Sequence, residues 1–240
     1  MDGTERMASF GTIIRLASRL VRARSAFSGI ARVILGLAFA AAMLSACSEQ
    51  SGWHETDLTG AMPDLSFSMT RAKDGKQVSA SDYRGRVTLL YFGYTFCPDI
   101  CPVTLSNVAQ ILQKMGKDSQ KVRVLFVTVD PGRDTIDVLK RYTSAFAPQV
   151  DGLRGTPDQL AALARRYRVA YSVTPSNDPS AYQVTHSSSV YVFDQQGHVR
   201  LLLTSLSGQD PDIDGAAADL TRLAHEGGSS GFLYELRRMI

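Results

Sequence analysis

The run Arg86-Val-Thr-Leu-Leu-Tyr-Phe-Gly93, followed at once by Thr95-Phe-Cys-Pro-Asp-Ile-Cys-Pro102, constrains the fold of this chain more than any other feature. The first segment is β-rich and apolar and follows a turn-like Asp82-Tyr83-Arg84-Gly85, so it predicts a buried strand. Beyond the cysteines, Leu105, Val108, Ile111, Leu112 and Met115 recur on one face of a helix. Val122–Val129 is a second, nearly continuous apolar run, the kind buried on both faces of a parallel sheet. Residues 134–147 and 157–168 read as helices, with Asp158 and Gln159 just inside the second. Ser188–Phe193 and Val199–Thr204 alternate around Asp194-Gln-Gln-Gly197, a hairpin pattern, and a last helix covers about 210–225.

The order β-α-β, two helices, antiparallel hairpin, helix is the layout of an α/β domain of thioredoxin-like type, a mixed central sheet flanked by helices. Residues 61–226 suffice for one such core, with no internal repeat. Composition agrees: 44% hydrophobic and 20% charged residues exclude a disordered, collagen-like or coiled-coil chain.

The formal charge of +3 belongs to one end. Residues 1–46 hold Arg6, Arg15, Arg19, Arg22, Arg24 and Arg32 against Asp2 and Glu5. The body is near neutral, without a polycationic footprint for nucleic acid. Residues 33–46, VILGLAFAAAMLSA, are uncharged but shorter than the roughly 18 residues of a membrane-spanning helix. A basic segment, a short apolar run and small residues together predict a secretory signal over 1–46. No Arg-Arg pair precedes the run, so export of the unfolded chain is expected, with any metal acquired outside the cytoplasm. Leu44-Ser45-Ala46-Cys47 resembles the bacterial lipoprotein signal, with Cys47 as the acylated first residue. This predicts a lipidated N-terminus and polar tether over 47–60, anchoring a periplasm-facing domain to a bacterial membrane, and a tail over 227–240.

With Cys47 lipidated, the body retains two of the three cysteines, Cys97 and Cys101. Pro98 suits a first helical position, which places both thiols at a helix opening. The helix start favours negative charge on sulfur and is expected to prevail at Cys97 over burial beside Phe96 and Ile100. On a regular helix the Cys-x-x-x-Cys spacing separates the two Cβ atoms by about 5–6 Å. A disulfide wants about 3.8 Å, so the spacing permits an oxidised Cys97–Cys101 pair but suits a shared metal better. Two thiolates leave a metal site open, so a further ligand is needed. His54 lies in the tether, His225 ends the last helix, and His198 is expected to face solvent. His186 stands just ahead of a core strand.

Three motifs in order, TFCPDICPVTL, VTVDPGRDT and QVTHSSSVYVFD, resemble the Sco/SenC family of membrane-anchored copper proteins. The resemblance covers about residues 61–224. It implies a thioredoxin fold that binds one copper, Cu(I) or Cu(II), through Cys97, Cys101 and His186. It also implies delivery to the binuclear copper site of cytochrome c oxidase, whose copper-site subunit is then a partner, with an upstream copper donor. Reduction of that site's thiols is a related activity. Thr185 stands where an acidic residue is common in the family. Asp130 is therefore expected to orient the imidazole from the outer shell.

Cu(I) is soft and accepts two thiolates and an imidazole at low coordination number, and zinc accepts the same set with a water. Two other functions need the same thiols: a thiol-disulfide oxidoreductase working through Cys97 and Cys101, and a copper or redox sensor. Asp130-Pro-Gly-Arg-Asp134 is expected to end a strand and to cap the helix beginning near Asp134. Arg133 would then form a weak surface ion pair with one of the two acids.

Overall fold

A computed structural model describes residues 52–177 and 182–226; the leader, Cys47 and the tail over 227–240 lie outside the described residues. The described part from Trp53 onward forms one compact unit. Its frame is an eight-stranded mixed sheet in the order β1-β10-β9-β4-β5-β6-β2-β3. The strands are β1 (Thr56–Asp57), β2 (Ser68–Arg71), β3 (Gln77–Ser79), β4 (Val87–Gly93), β5 (Val122–Thr128), β6 (Val150–Arg154), β9 (Val190–Phe193) and β10 (Val199–Leu203). A separate hairpin pairs β7 (Tyr171–Thr174) with β8 (Gln183–His186). The helices are α1 (Ile100–Lys114), α2 (Ile136–Ser144), α3 (Pro157–Arg166) and α4 (Ile213–His225). The thioredoxin-like class predicted from the element order is the one observed.

The centre is parallel. β4 pairs with β5, and β5 with β6, in parallel, while β9 flanks β4 antiparallel. Every residue of β4 is buried, which explains why it reads as a nearly continuous apolar run. Fully buried Leu89, Phe92, Leu125 and Phe126 each contribute roughly 1.5–3 kcal/mol of hydrophobic stabilisation. The pairing runs unbroken from Val87↔Val122 to Gly93↔Thr128, so the two strands end level. The loop carrying the cysteines and the loop carrying Asp130–Asp134 consequently leave the sheet side by side. Gly93 is required there: a Cβ would lie 2.6 Å from Phe126 Cε2 and 2.9 Å from Cys101 Sγ.

Local signals explain most helix boundaries. Thr156 caps α3 in a capping box with Gln159, and Pro157 occupies the first turn. Two boundaries differ from the sequence expectation. The cap of α2 is Thr135, whose hydroxyl accepts from the Val138 N–H, while Asp134 is buried and serves the loop described below. Helix α1 begins at Ile100, so Pro98 lies outside it and Cys97 precedes it by three residues. The i,i+4 helical geometry expected for the cysteine pair therefore does not apply.

The segment expected as tether is docked from Trp53 on. β1 pairs with β10, and the His54 and Glu55 N–H groups both donate to the Asp219 carboxylate on α4, at 3.0 and 2.9 Å. His54 Nδ1 lies 3.0 Å from the same carboxylate, and the Trp53 ring stacks 3.8 Å from the Arg222 guanidinium carbon. His198 is half-buried rather than solvent-facing, with Nδ1 3.3 Å from Asp194. Among the described residues no helix is long and apolar enough to cross a membrane.

Candidate metal centre

Three elements deliver the site. The loop after β4 carries Cys97, the first turn of α1 carries Cys101, and the last residue of β8 is His186. Cys97 is partly exposed, Cys101 is buried, and both are free thiols. The Cys101 Sγ lies 3.1 Å from His186 Nε2. The sulfurs and an imidazole nitrogen all fall within 4.8 Å of one another, close enough to hold one metal ion. The sequence expectation for these three residues coincides with the one such cluster found among the described residues.

The imidazole is prepared as a ligand. His186 Nδ1 lies 2.9 Å from the Ser187 carbonyl oxygen. A carbonyl can only accept, so Nδ1 carries the proton and Nε2 turns an unprotonated lone pair toward the sulfurs. Burial pushes the imidazole pKa down, which keeps the ring neutral. Tyr94 meets the His186 ring edge-on at 5.7 Å and fixes its plane. Burial, followed by the neighbouring Cys97 charge, pushes the Cys101 thiol up to about 12, while the Tyr94 backbone N–H pulls it down. Without metal, Cys101 therefore holds its proton at neutral pH, and a metal must displace it.

The adjoining 130–134 loop differs from its sequence reading. Asp134 accepts from the Thr95 N–H at 3.0 Å, the Thr95 hydroxyl at 2.6 Å and the Thr128 hydroxyl at 2.5 Å, tying the cysteine loop to the end of β5. Asp130 does not reach His186: Arg133 and the Tyr182 hydroxyl occupy its carboxylate, and the Ser187 carbonyl takes the orienting role expected of it. Arg133 is not a surface partner either. It is largely buried, pairs with Asp130 and lies against the rings of Tyr182, Phe96 and Tyr94. Nothing in local spacing marks Asp134 for Thr95 or Arg133 for the three rings, because those partners come from distant segments.

The rim is apolar. The exposed large hydrophobic residues of the described chain are Phe96, Val103 and Val173, at 56%, 37% and 50% exposure. Phe96 adjoins Cys97, Val103 follows Cys101 in α1, and Val173 pairs with Val184 on the histidine hairpin.

Comparison with known proteins places this geometry in a family. The SCO1/SenC family model matches residues 59–225. The mitochondrial SCO2 homolog of Mus musculus is 35% identical over 171 residues, covering 68% of this chain and 67% of that protein. The SCO2-like protein RP587 of Rickettsia prowazekii is 36% identical over 126 residues, 52% of this chain and 62% of its own. For the Bos taurus and Arabidopsis thaliana relatives the match spans under half of their length, 47% and 43%. The structure of copper-bound Bradyrhizobium japonicum ScoI superposes with a TM-score of 0.60 at 37% identity, covering 67% of this chain and 98% of that one. Copper-bound yeast Sco1 gives 0.61 at 29% identity, with 71% and 94% coverage. With the family model spanning most of the chain and the Cys-Cys-His cluster inside the matched region, this protein belongs to the SCO1/SenC family.

Proposed function

We propose that the protein binds one copper ion through Cys97, Cys101 and His186 and passes it to the binuclear copper site of cytochrome c oxidase. The observation that carries the reading is the convergence of a neutral imidazole lone pair and two thiols within 4.8 Å. Two soft sulfurs and one imidazole match Cu(I), and a three-ligand site leaves a position through which a recipient's ligand can enter stepwise. Exposed Phe96, beside Cys97, offers an apolar contact for the copper-site subunit of the oxidase. Similar proteins have been solved with copper bound, in B. japonicum, A. thaliana and yeast.

Delivery takes place at a membrane in this reading. Cys47 carries the lipid, and the chain is docked on the domain from Trp53 onward. The Leu44-Ser45-Ala46-Cys47 sequence supports the anchor, as does a similar protein described as a SCO1/SenC family lipoprotein from Bacillus anthracis, 26% identical. The domain then faces the periplasm.

Anaerobic titration of the full chain with copper and with zinc tests the assignment. One tight copper per chain is expected, with a thiolate-to-Cu(II) charge-transfer band that His186→Ala alters. Copper binding indifferent to His186 would remove the imidazole from the site.

A second reading, thiol-disulfide exchange, draws on the unequal exposure of the two thiols. Partly exposed Cys97 would attack a partner disulfide and buried Cys101 would resolve the mixed disulfide. Two electrons and two protons pass to the partner, whose disulfide becomes two thiols as the Cys97–Cys101 bond forms. Reduction of a disulfide substrate that is unaffected by His186→Ala would favour this reading.

A further inference from the structure

We propose that Arg133 is a positioning residue that latches the histidine-bearing hairpin β7–β8 onto the cysteine loop. The inference rests on the copper reading above for its consequence, but not for its geometry. His186 stands on a two-stranded sheet separate from the main one, so its place opposite Cys101 depends on what fastens that hairpin. Tyr182, four residues before His186, is held by Arg133 in two ways. The guanidinium carbon lies 3.7 Å from the centre of the Tyr182 ring, and Nη1 donates to the Tyr182 carbonyl at 3.1 Å.

The same guanidinium faces the cysteine loop. It lies 5.0 Å from the Phe96 ring and 5.9 Å from the Tyr94 ring, and Tyr94 in turn packs edge-on against His186. Cation–π contacts of this kind strengthen when water is excluded, and the Arg133 side chain is only 15% exposed. Asp130 completes the device: it pairs with Arg133 Nε and accepts from the Tyr182 hydroxyl, so it grips both halves of the latch. One planar cation thus joins the loop after β5, the cysteine loop and the hairpin. Lysine keeps the charge but lacks the fork that serves Asp130 and the Tyr182 carbonyl together.

Two populations follow, hairpin closed with His186 at the sulfurs and hairpin open with the thiols alone. If losing the latch lowers the closed fraction to about one-tenth, apparent metal affinity falls about tenfold. The test uses the full chain with Arg133→Met, which keeps bulk and removes charge, and with Arg133→Lys and Tyr182→Leu. In the metal-free protein the rate of His186 modification by diethyl pyrocarbonate is read. It is expected to rise about tenfold in Arg133→Met and Tyr182→Leu and by an intermediate amount in Arg133→Lys. In the copper-loaded protein, release to a chelator should accelerate similarly while the thiolate charge-transfer band persists. Unchanged labelling in folded Arg133→Met and Tyr182→Leu overturns the latch. If Arg133→Met does not fold, Tyr182→Leu decides alone. A parent chain without copper affinity defeats the functional reading and leaves the labelling result to judge the latch.

Discussion

The Nε2 atom of His186 sits 3.1 Å from the Sγ atom of Cys101, across 85 residues of chain. A protonated buried thiol thus faces an unprotonated imidazole nitrogen, a pair that a soft metal converts into two ligands by displacing one proton. Metal uptake is therefore linked to pH.

The Cys101 thiol, held at about 12, must lose its proton to bind copper, whereas neutral His186 gives up none at neutral pH. Apparent copper affinity should fall on acidification, by up to about tenfold per pH unit for each proton released. Calorimetric titration in buffers of different ionisation enthalpy counts those protons, and a count of zero would contradict a thiol ligand. The metal-free fold carries the complementary sign. Its raised thiol value means that it holds a proton the unfolded chain has lost, so stability declines as pH rises from the ordinary value of 9.0 toward 12. Denaturant midpoints of the metal-free chain between pH 8 and 11 should show that slope.

Gly93→Ala should damage stability and site together. The new methyl would overlap the Phe126 ring and press on Cys101 Sγ. Overpacking of this kind costs about 1–3 kcal/mol, visible as a lower denaturant midpoint, and copper affinity should drop with it. An unaltered midpoint would mean that β4 and α1 separate more readily than their packing implies.

The docked segment before β1 should loosen as pH rises through about 7. Burial and the nearby Asp219 and Asp212 charges push Glu55 up from 4.5 to about 7, and the Asp219 hydrogen bond raises His54 above 6.5. Both docked values exceed the undocked ones, so docking takes up protons. Their contribution is present at low pH and is lost as pH climbs past those values. Trp53, the chain's one tryptophan, reports the change directly from its place on Arg222. Its emission should redden between pH 5.5 and pH 8, and Glu55→Gln should flatten the response.

Cys47→Ser should move the protein from the membrane fraction to the soluble fraction in a host with lipoprotein machinery. Retention of the variant in membranes would locate the anchor elsewhere.

The features decided by local pattern were legible without coordinates. β4 and β5 are nearly continuous apolar runs because both faces of a central parallel strand are covered, and α1 and α4 carry their apolar residues at helical spacing. Motif order likewise singled out Cys97, Cys101 and His186. Tertiary structure decided what those residues meet. Short strands such as β2, β3, β6, β7 and β8 carry too little periodicity to be distinguished from loops, and their pairing comes from distant partners. The edge strand β1 escaped for the same reason, since a polar tether and a docked polar strand share one composition. Asp130 and Asp134 read alike as local turn and cap acids. The Asp130–Arg133 pair is local, three residues apart, but only the level ends of β4 and β5 give Asp134 to Thr95, because a carboxylate bonds the donors that folding brings within reach. Chain order and residue chemistry thus determined the sheet's centre and the three candidate ligands. The long-range packing that no spacing encodes decided their tautomer, their burial and the cation that fastens them.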